Sequence, residues 1–491
     1  MNSISSRSGT QALTALFIAG GIILASRFSF SFSAEETRLY IALMVTYTWI
    51  SILLLYARMR YDLYVFEPIS FVTAIYIAVF IVKPLIDLRA GHMTEHGVDV
   101  SGGGLKATLI LLAGYTCLYV GYYLTYDASG RKRLENLPPV EETSEYEPTA
   151  LYLLWGFCFA MCLLCMFSQG LSLSYIFSLG KSGEVTVAES NTALLFLSNF
   201  VVTMISSWML ILFKTDNPAG KVLVSVLQVI YLIMRNSRWL ILIVILAPAA
   251  FIYTGRRRRP RGIYLVLLGM AGLIIFAWMQ ANRVVLSSGG AIQGWGAEGF
   301  TLAKLAAPFE SDLNTYRAFY SMVNRFPERY PYLLGTSYLY MFVLFIPRVL
   351  WRGKPDNPIR TIIEHSLNSR ARVSGTAVSN IGEIYANFGI FGCAVMMFLI
   401  GRILAWLKHF YEGSREDALI IYAVMYPLLF QWTARSNFSG NFYMTVFAML
   451  PFIFRKYLLQ GRPGQMRRYR KNGYRYKGNA GPSEREGAES A

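Results

Sequence analysis

Apolar residues run in long, nearly unbroken stretches along most of this chain. They fall near 11–30, 39–57, 64–86, 106–126, 150–168, 193–213, 221–234, 239–254, 262–281, 380–405, 418–432 and 439–456. Runs of about 17 to 25 such residues cross a hydrocarbon core as helices. The pattern predicts an all-α, polytopic membrane protein with about twelve transmembrane helices. Residues 221–254 present a choice. As one helix they would be about 51 Å long at 1.5 Å per residue, far more than a bilayer needs. A turn at Arg235-Asn236-Ser237-Arg238 divides them into two short spans, and this hairpin is the expectation.

Basic loops then set the orientation. Gly255-Arg256-Arg257-Arg258-Arg259-Pro260-Arg261 is the strongest cytoplasmic signal. Counting outward from it puts Arg58-Met59-Arg60, Arg131-Lys132-Arg133, Lys408 with Arg415, and both termini on the cytoplasmic side. Residues 91–104, 169–191 and 282–379 fall outside. Arg27 separates the first apolar run from the small residues Ser31–Ala34, so an uncleaved first helix is expected. Four regions follow: spans over 1–281, a large periplasmic loop over 282–379, three spans over 380–456, and a disordered basic cytoplasmic tail over 457–491.

Composition changes little in this picture. The net charge of +17 is accounted for by cytoplasmic loops and tail, so no nucleic-acid partner is expected. The tail's Arg467-Arg468-Tyr469-Arg470-Lys471 suits a membrane surface. All five cysteines sit inside apolar runs; Cys158, Cys162 and Cys165 share a helix face and are read as packing residues. No His, Asp and Glu set at metal-ligand spacing and no nucleotide-binding loop occurs, so neither metal nor cofactor is expected. An ATP-driven pump is disfavoured for the same reason.

The 282–379 loop carries the candidate chemistry. It is rich in arginine on the side where basic residues are normally scarce, and its acids are about half as numerous as its bases. Arginines at headgroup depth pair with phosphate through two parallel hydrogen bonds, which predicts a site for an anionic lipid headgroup, most naturally a pyrophosphate. Arg235, Arg238 and Arg435 approach from turns elsewhere. Residues 308–324 predict an interfacial helix, with Phe309, Leu313, Tyr316, Tyr320 and Val323 on one face and Glu310, Arg317 and Asn324 aligned beside it. Ser337–Leu350 is apolar but short and broken by Pro347-Arg348, so a re-entrant or interfacial segment is expected. Glu383, near the start of an apolar run, should face a cavity or pair with an arginine. His365 is the loop's single histidine.

These features resemble the O-antigen polymerase family, the Wzy-type oligosaccharide repeat-unit polymerases, over most of 165–450. The resemblance rests on Gly170-Leu171-Ser172-Leu173 with Tyr175-Ile176-Phe177, on Arg238, on Arg283 with Gly294, and on Pro308-Phe309-Glu310. It extends to Phe345-Ile346-Pro347 with Trp351 and Lys354-Pro355, to Gly382–Gly392, and to Arg435. It implies a GT-C-like, inverting, metal-independent membrane glycosyltransferase of the bacterial inner membrane, acting at the periplasmic face. Donor and acceptor would be undecaprenyl-pyrophosphate-linked oligosaccharides, with a chain-length-regulating co-polymerase as partner.

On this resemblance, Arg238, Arg283 and Arg435, with Arg317 and Arg348 in addition, would hold the pyrophosphate. Glu310 leads as general base, ahead of Asp312, Glu383 and His365. Two alternatives share the layout. An O-antigen ligase would carry a histidine where Val373-Ser374-Gly375-Thr376 stands, and a lipid-linked oligosaccharide transporter would show internal repeats and shorter loops.

Overall fold

The computed structural model describes residues 18, 20–22, 33–61, 63–95, 97–128, 146–168, 198–235, 238–256, 260–281, 313–346, 350–367, 377–412 and 416–454. The helices, in chain order, begin with α1 (Ala34–Tyr61), α2 (Pro68–Ala90), α3 (Gly104–Ala128), α4 (Pro148–Ser168), α5 (Phe200–Lys214), α6 (Pro218–Met234), α7 (Arg238–Gly255) and α8 (Gly262–Ala281). They continue with α9 (Thr315–Arg325), α10 (Thr336–Leu339), α11 (Met341–Leu344), α12 (Pro358–Leu367), α13 (Asn380–Glu412), α14 (Glu416–Ala434) and α15 (Phe438–Phe454). A two-stranded hairpin, β1 (Thr94–Glu95) and β2 (Val98–Asp99), follows α2.

Among the described residues eight helices are long and apolar enough to cross a membrane: α1 to α4, α7, α8, α13 and α14. The apolar helices α5, α6 and α15 are shorter. The predicted first span and the tail lie largely outside the described residues. The described residues of 221–254 fall in two helices: α6 is capped by Asn217, whose side chain accepts from Gly220 N at 3.1 Å, and ends at Met234, and α7 begins at Arg238.

The centre of the bundle is the α3–α13 pair. Two glycines let these backbones approach: a Cβ on Gly121 would meet Phe398 O at 2.2 Å, and one on Gly401 would meet Leu118 O at 2.1 Å. Small residues at such crossings are how helices pack closely where lipid supplies no hydrophobic drive.

The two ends of the bundle are chemically distinct. At one end Lys408 is 4% exposed, pairs with Glu67 at 3.0 Å, and lies 3.8 Å from the centroid of the Tyr126 ring. Lys408 is expected in a loop, and here the structure differs: α13 extends past it, and Glu67 and Tyr126 enclose its charge. Tyr61–Asp127, Tyr146–Asp417 and Lys214–Glu416 contacts gather at the same end. The opposite end holds the C-terminal turns of α2 and α14, the first turn of α13, and α9.

Helix α9 differs from the interfacial helix expected over 308–324. Tyr316, Phe319, Tyr320, Met322 and Val323 are all buried. It lies within the protein because its polar positions also find partners: Tyr320 Oη meets Thr108 Oγ1 at 3.3 Å, and Ser321 donates to Ser366 O. An apolar face predicts one packed side; these hydroxyl pairs close the others.

Candidate active site

The first turn of α13 is built to hold polar groups out of lipid. Ser379 Oγ accepts from Gly382 N at 3.3 Å, and Asn380 Oδ1 accepts from Tyr76 Oη at 2.8 Å. An antiparallel bridge between Val378 and Ser436 then draws the end of α14 alongside. At Gly389 the backbone takes φ 67°, a left-handed value that favours glycine, and kinks the helix. Before the kink, residues 380–387 are all buried, and after it the helix alternates between packed and exposed faces.

Glu383 sits in this turn, 1% exposed. Its Oε1 accepts from Ser337 Oγ at 2.8 Å, and its Oε2 accepts from Ser436 Oγ at 2.6 Å and from Phe438 N at 3.2 Å. Asn387, one turn on, donates to Ser337 Oγ at 2.8 Å and to Glu383 O at 2.7 Å, while its Oδ1 accepts from Gly335 N at 3.0 Å. Because Ser337 Oγ already accepts from Asn387, its own proton is free to point at Glu383. Three donors on one acid match an acceptor-only carboxylate. A lone buried acid is costly, and here hydroxyls and a backbone N–H offset that cost where a cavity or an arginine partner was expected.

The carboxylate therefore fastens three segments together: α13, the chain around Ser337, and the turn after α14. Arg435 stands in that turn, immediately before Ser436. Arg238 opens α7, whose far end packs at Gly255 against Leu419 near the start of α14. Helix α7 is about 27 Å long, so Arg238 lies toward the end of α14 that carries Arg435. Arg238, Arg435 and Glu383 thus share one end of the bundle.

Arg317 is at this end too, in a network of its own. Its Nη2 pairs with Asp87 Oδ2 at 2.8 Å and its Nη1 with Glu95 Oε2 at 2.7 Å. Asp87 also accepts from Lys83 at 2.6 Å and from the Tyr316 hydroxyl. Burial works against the Arg317 charge, but bonding to Tyr316, Glu95 and Asp87 overrides it, and the pKa is raised. The same acid and burial, burial first, push the Tyr316 hydroxyl up. Two carboxylates already hold this guanidinium.

His365 lies on α12 with its ring stacked on Tyr330, centroids 3.9 Å apart and planes 4° from parallel. Burial lowers its pKa below the usual value, and Glu364 opposes the shift. Glu310, Asp312, Arg283 and Arg348 lie outside the described residues. Sequence reasoning missed Ser337, Lys83 and Asp87. A signal existed for the last two, since ionisable residues four apart in an apolar run need each other.

A family model described as O-antigen polysaccharide polymerase Wzy matches residues 12–461. No solved structure matches the chain.

Proposed function

The chain belongs to the O-antigen polysaccharide polymerase Wzy family, and from that premise we propose how its residues polymerise lipid-linked oligosaccharide repeat units. The Glu383 end of the bundle faces the periplasm. The donor is a growing glycan on undecaprenyl pyrophosphate, and the acceptor is the sugar of a second lipid-linked unit. An acceptor hydroxyl attacks the anomeric carbon, the bond to the pyrophosphate oxygen breaks, and that oxygen leaves with the electron pair. A single displacement of this kind inverts the configuration.

Arg238, Arg283 and Arg435 stabilise the pyrophosphate as charge develops on it, the part a metal plays in other transferases. Arg348 joins them. Arg317 is assigned a framework part, because Asp87 and Glu95 already neutralise it. Glu310 takes the proton of the attacking hydroxyl, with Asp312 and His365 behind it as candidates. Glu383, whose oxygens are both occupied, is a positioning residue: it holds the turn that presents Arg435.

The observation that carries this reading is the buried, three-donor Glu383 carboxylate fixed beside Arg435 at the end that also bears Arg238. A chain-length-regulating co-polymerase is the expected partner. The test is purified protein in liposomes with lipid-linked repeat units, resolved by gel for longer glycans. Elongation is expected; transbilayer movement of the units without elongation would overturn the assignment in favour of a transporter.

A further inference from the structure

Leu333–Ile346 combines two properties that belong together only in a membrane. Four of its large apolar side chains point away from the protein: Leu334 is 77% exposed, Leu339 60%, Phe342 59% and Phe345 54%. Its backbone, by contrast, is turned inward to partners. Leu333 N and Leu334 N donate to Ala386 O and Asn387 O at 3.0 and 3.1 Å, and Gly335 N to the Asn387 side chain.

The carbonyl side is covered as well. Tyr443 Oη donates to Met341 O at 2.8 Å, and the Lys354 ammonium donates to Leu344 O and Ile346 O, both at 2.9 Å. Lys354 is itself only 4% exposed. A surface loop in water needs none of this, because water satisfies its carbonyls and a lysine gains nothing by burial. In hydrocarbon the same carbonyls must find partners within the protein. A lysine folded back to cap the end of a short helix meets that need.

The apolar surface is also continuous with a lipid-facing one. Tyr338 stacks on Phe388 at 5.8 Å, and beyond the kink Phe391 of the span α13 is 88% exposed.

We propose that Leu333–Ile346 is a membrane-embedded arm whose Leu334, Leu339, Phe342 and Phe345 side chains contact the lipid hydrocarbon of the leaflet around the Glu383 end of α13. Ser337 lies on this arm, so one of the three groups that fix Glu383 is held from within the leaflet. A lipid-linked substrate arriving by lateral diffusion would meet the arm before it meets water. The arm's placement does not depend on the reaction assigned above.

The test is spin labelling of the full chain in phosphatidylethanolamine and phosphatidylglycerol liposomes. Single cysteines at Leu339, Phe342 and Phe345, in a background with the native cysteines replaced, are compared with Leu399 in mid-span and with exposed Arg360. We expect oxygen-to-nickel-chelate collision ratios several-fold above that at Arg360, approaching that at Leu399. Nickel access equal to that at Arg360 overturns the proposal in favour of an aqueous loop. Exclusion of both probes overturns it in favour of a covering protein surface. A membrane-soluble carbene probe applied to the unaltered chain provides the second measurement: peptides from 334–345 should label with those of α13, and their absence from the labelled set sinks the idea.

Discussion

Glu383 accepts the Ser436 hydroxyl at 2.6 Å, and Ser436 is the residue that follows Arg435. A buried acid in α13 therefore sets the backbone that carries a guanidinium in the turn between α14 and α15. Replacing Glu383 by Gln puts an amide donor where Ser337 or Ser436 already donates. Hydrogen bonds to a charged group contribute about 1.5–3 kcal/mol, which corresponds to a loss of roughly ten- to a hundredfold if the turn shifts. We predict that Glu383→Gln lowers elongation by that factor, mainly through a higher KM for the lipid donor, and that Ser436→Ala does so more mildly. A Glu383→Gln enzyme with the original glycan ladder and KM would remove the positioning role.

If arginines hold the pyrophosphate by paired hydrogen bonds, lysine is a poor substitute, because a point charge cannot form the fork. Arg435→Lys and Arg238→Lys should each lose at least about tenfold in kcat/KM, while Arg283→Ala should abolish polymer at an unchanged protein level. Glycan ladders beside a membrane immunoblot make the comparison. Full-length laddering in Arg283→Ala would exclude that residue from the site.

The parts of this molecule legible in its sequence are those encoded locally. The apolar runs of α2 and α13 declare helices, and the polar Arg235–Arg238 turn declares a break, because periodicity and chain reversal need only neighbouring residues. The ion pairs that lock the framework are not local. Lys408 finds Glu67 and Arg317 finds Asp87 across hundreds of residues, whereas the sequence reading places Lys408 in a cytoplasmic loop and Arg317 among the pyrophosphate ligands. Ser337 looked like an ordinary residue in an apolar stretch until α13 brought Glu383 to it. Arg238 and Arg435, by contrast, each stand at the end of an apolar run, so their place at one end of the bundle is readable from the chain alone.

A carboxylate near a phosphate clamp can take the acceptor's proton, which is the part proposed for Glu310. Glu310→Gln preserves volume and removes the basicity, so donor binding should persist while turnover falls by about 10²–10⁴-fold, the usual range for a general base. Binding of a fluorescent lipid-pyrophosphate analogue alongside single-turnover elongation separates the two. Retained turnover would pass the role to Asp312.

His365 makes a prediction with a definite sign. Its pKa is lowered in the fold, chiefly by burial, so the folded state prefers the neutral ring stacked on Tyr330. The reference value is about 6.5. The contribution to stability is therefore complete above that pH and is lost as pH falls through the window below it, where the unfolded chain binds the proton first. His365→Phe keeps an aromatic ring without a proton site, so its melting temperature should fall less steeply as pH drops below about 6.5. Equal slopes for the two proteins would deny His365 this influence.

The Arg317–Asp87 pair separates framework from chemistry. Arg317 is held by Asp87 and Glu95, and Asp87 also receives Lys83 and Tyr316, so the cluster ties α9 to the end of α2 and to the β1–β2 hairpin. Removing one member of a buried pair strands the other charge and costs about 3–5 kcal/mol. Asp87→Ala should accordingly lower the detergent-solubilised melting temperature by several degrees and reduce protein level, leaving Arg317 and Lys83 close together without their shared acid. Arg317→Ala should also lower the melting temperature, though less, because Lys83 and Tyr316 still hold Asp87 while Glu95 loses its partner. If Arg317 instead bound pyrophosphate, its loss would raise the donor KM while thermal stability stayed near that of the parent. Melting curves and donor titrations on the two variants decide between these outcomes, and the double variant adds a check. Partners in one network are not additive, so Asp87→Ala with Arg317→Ala should melt well above the temperature that summing the two single losses gives.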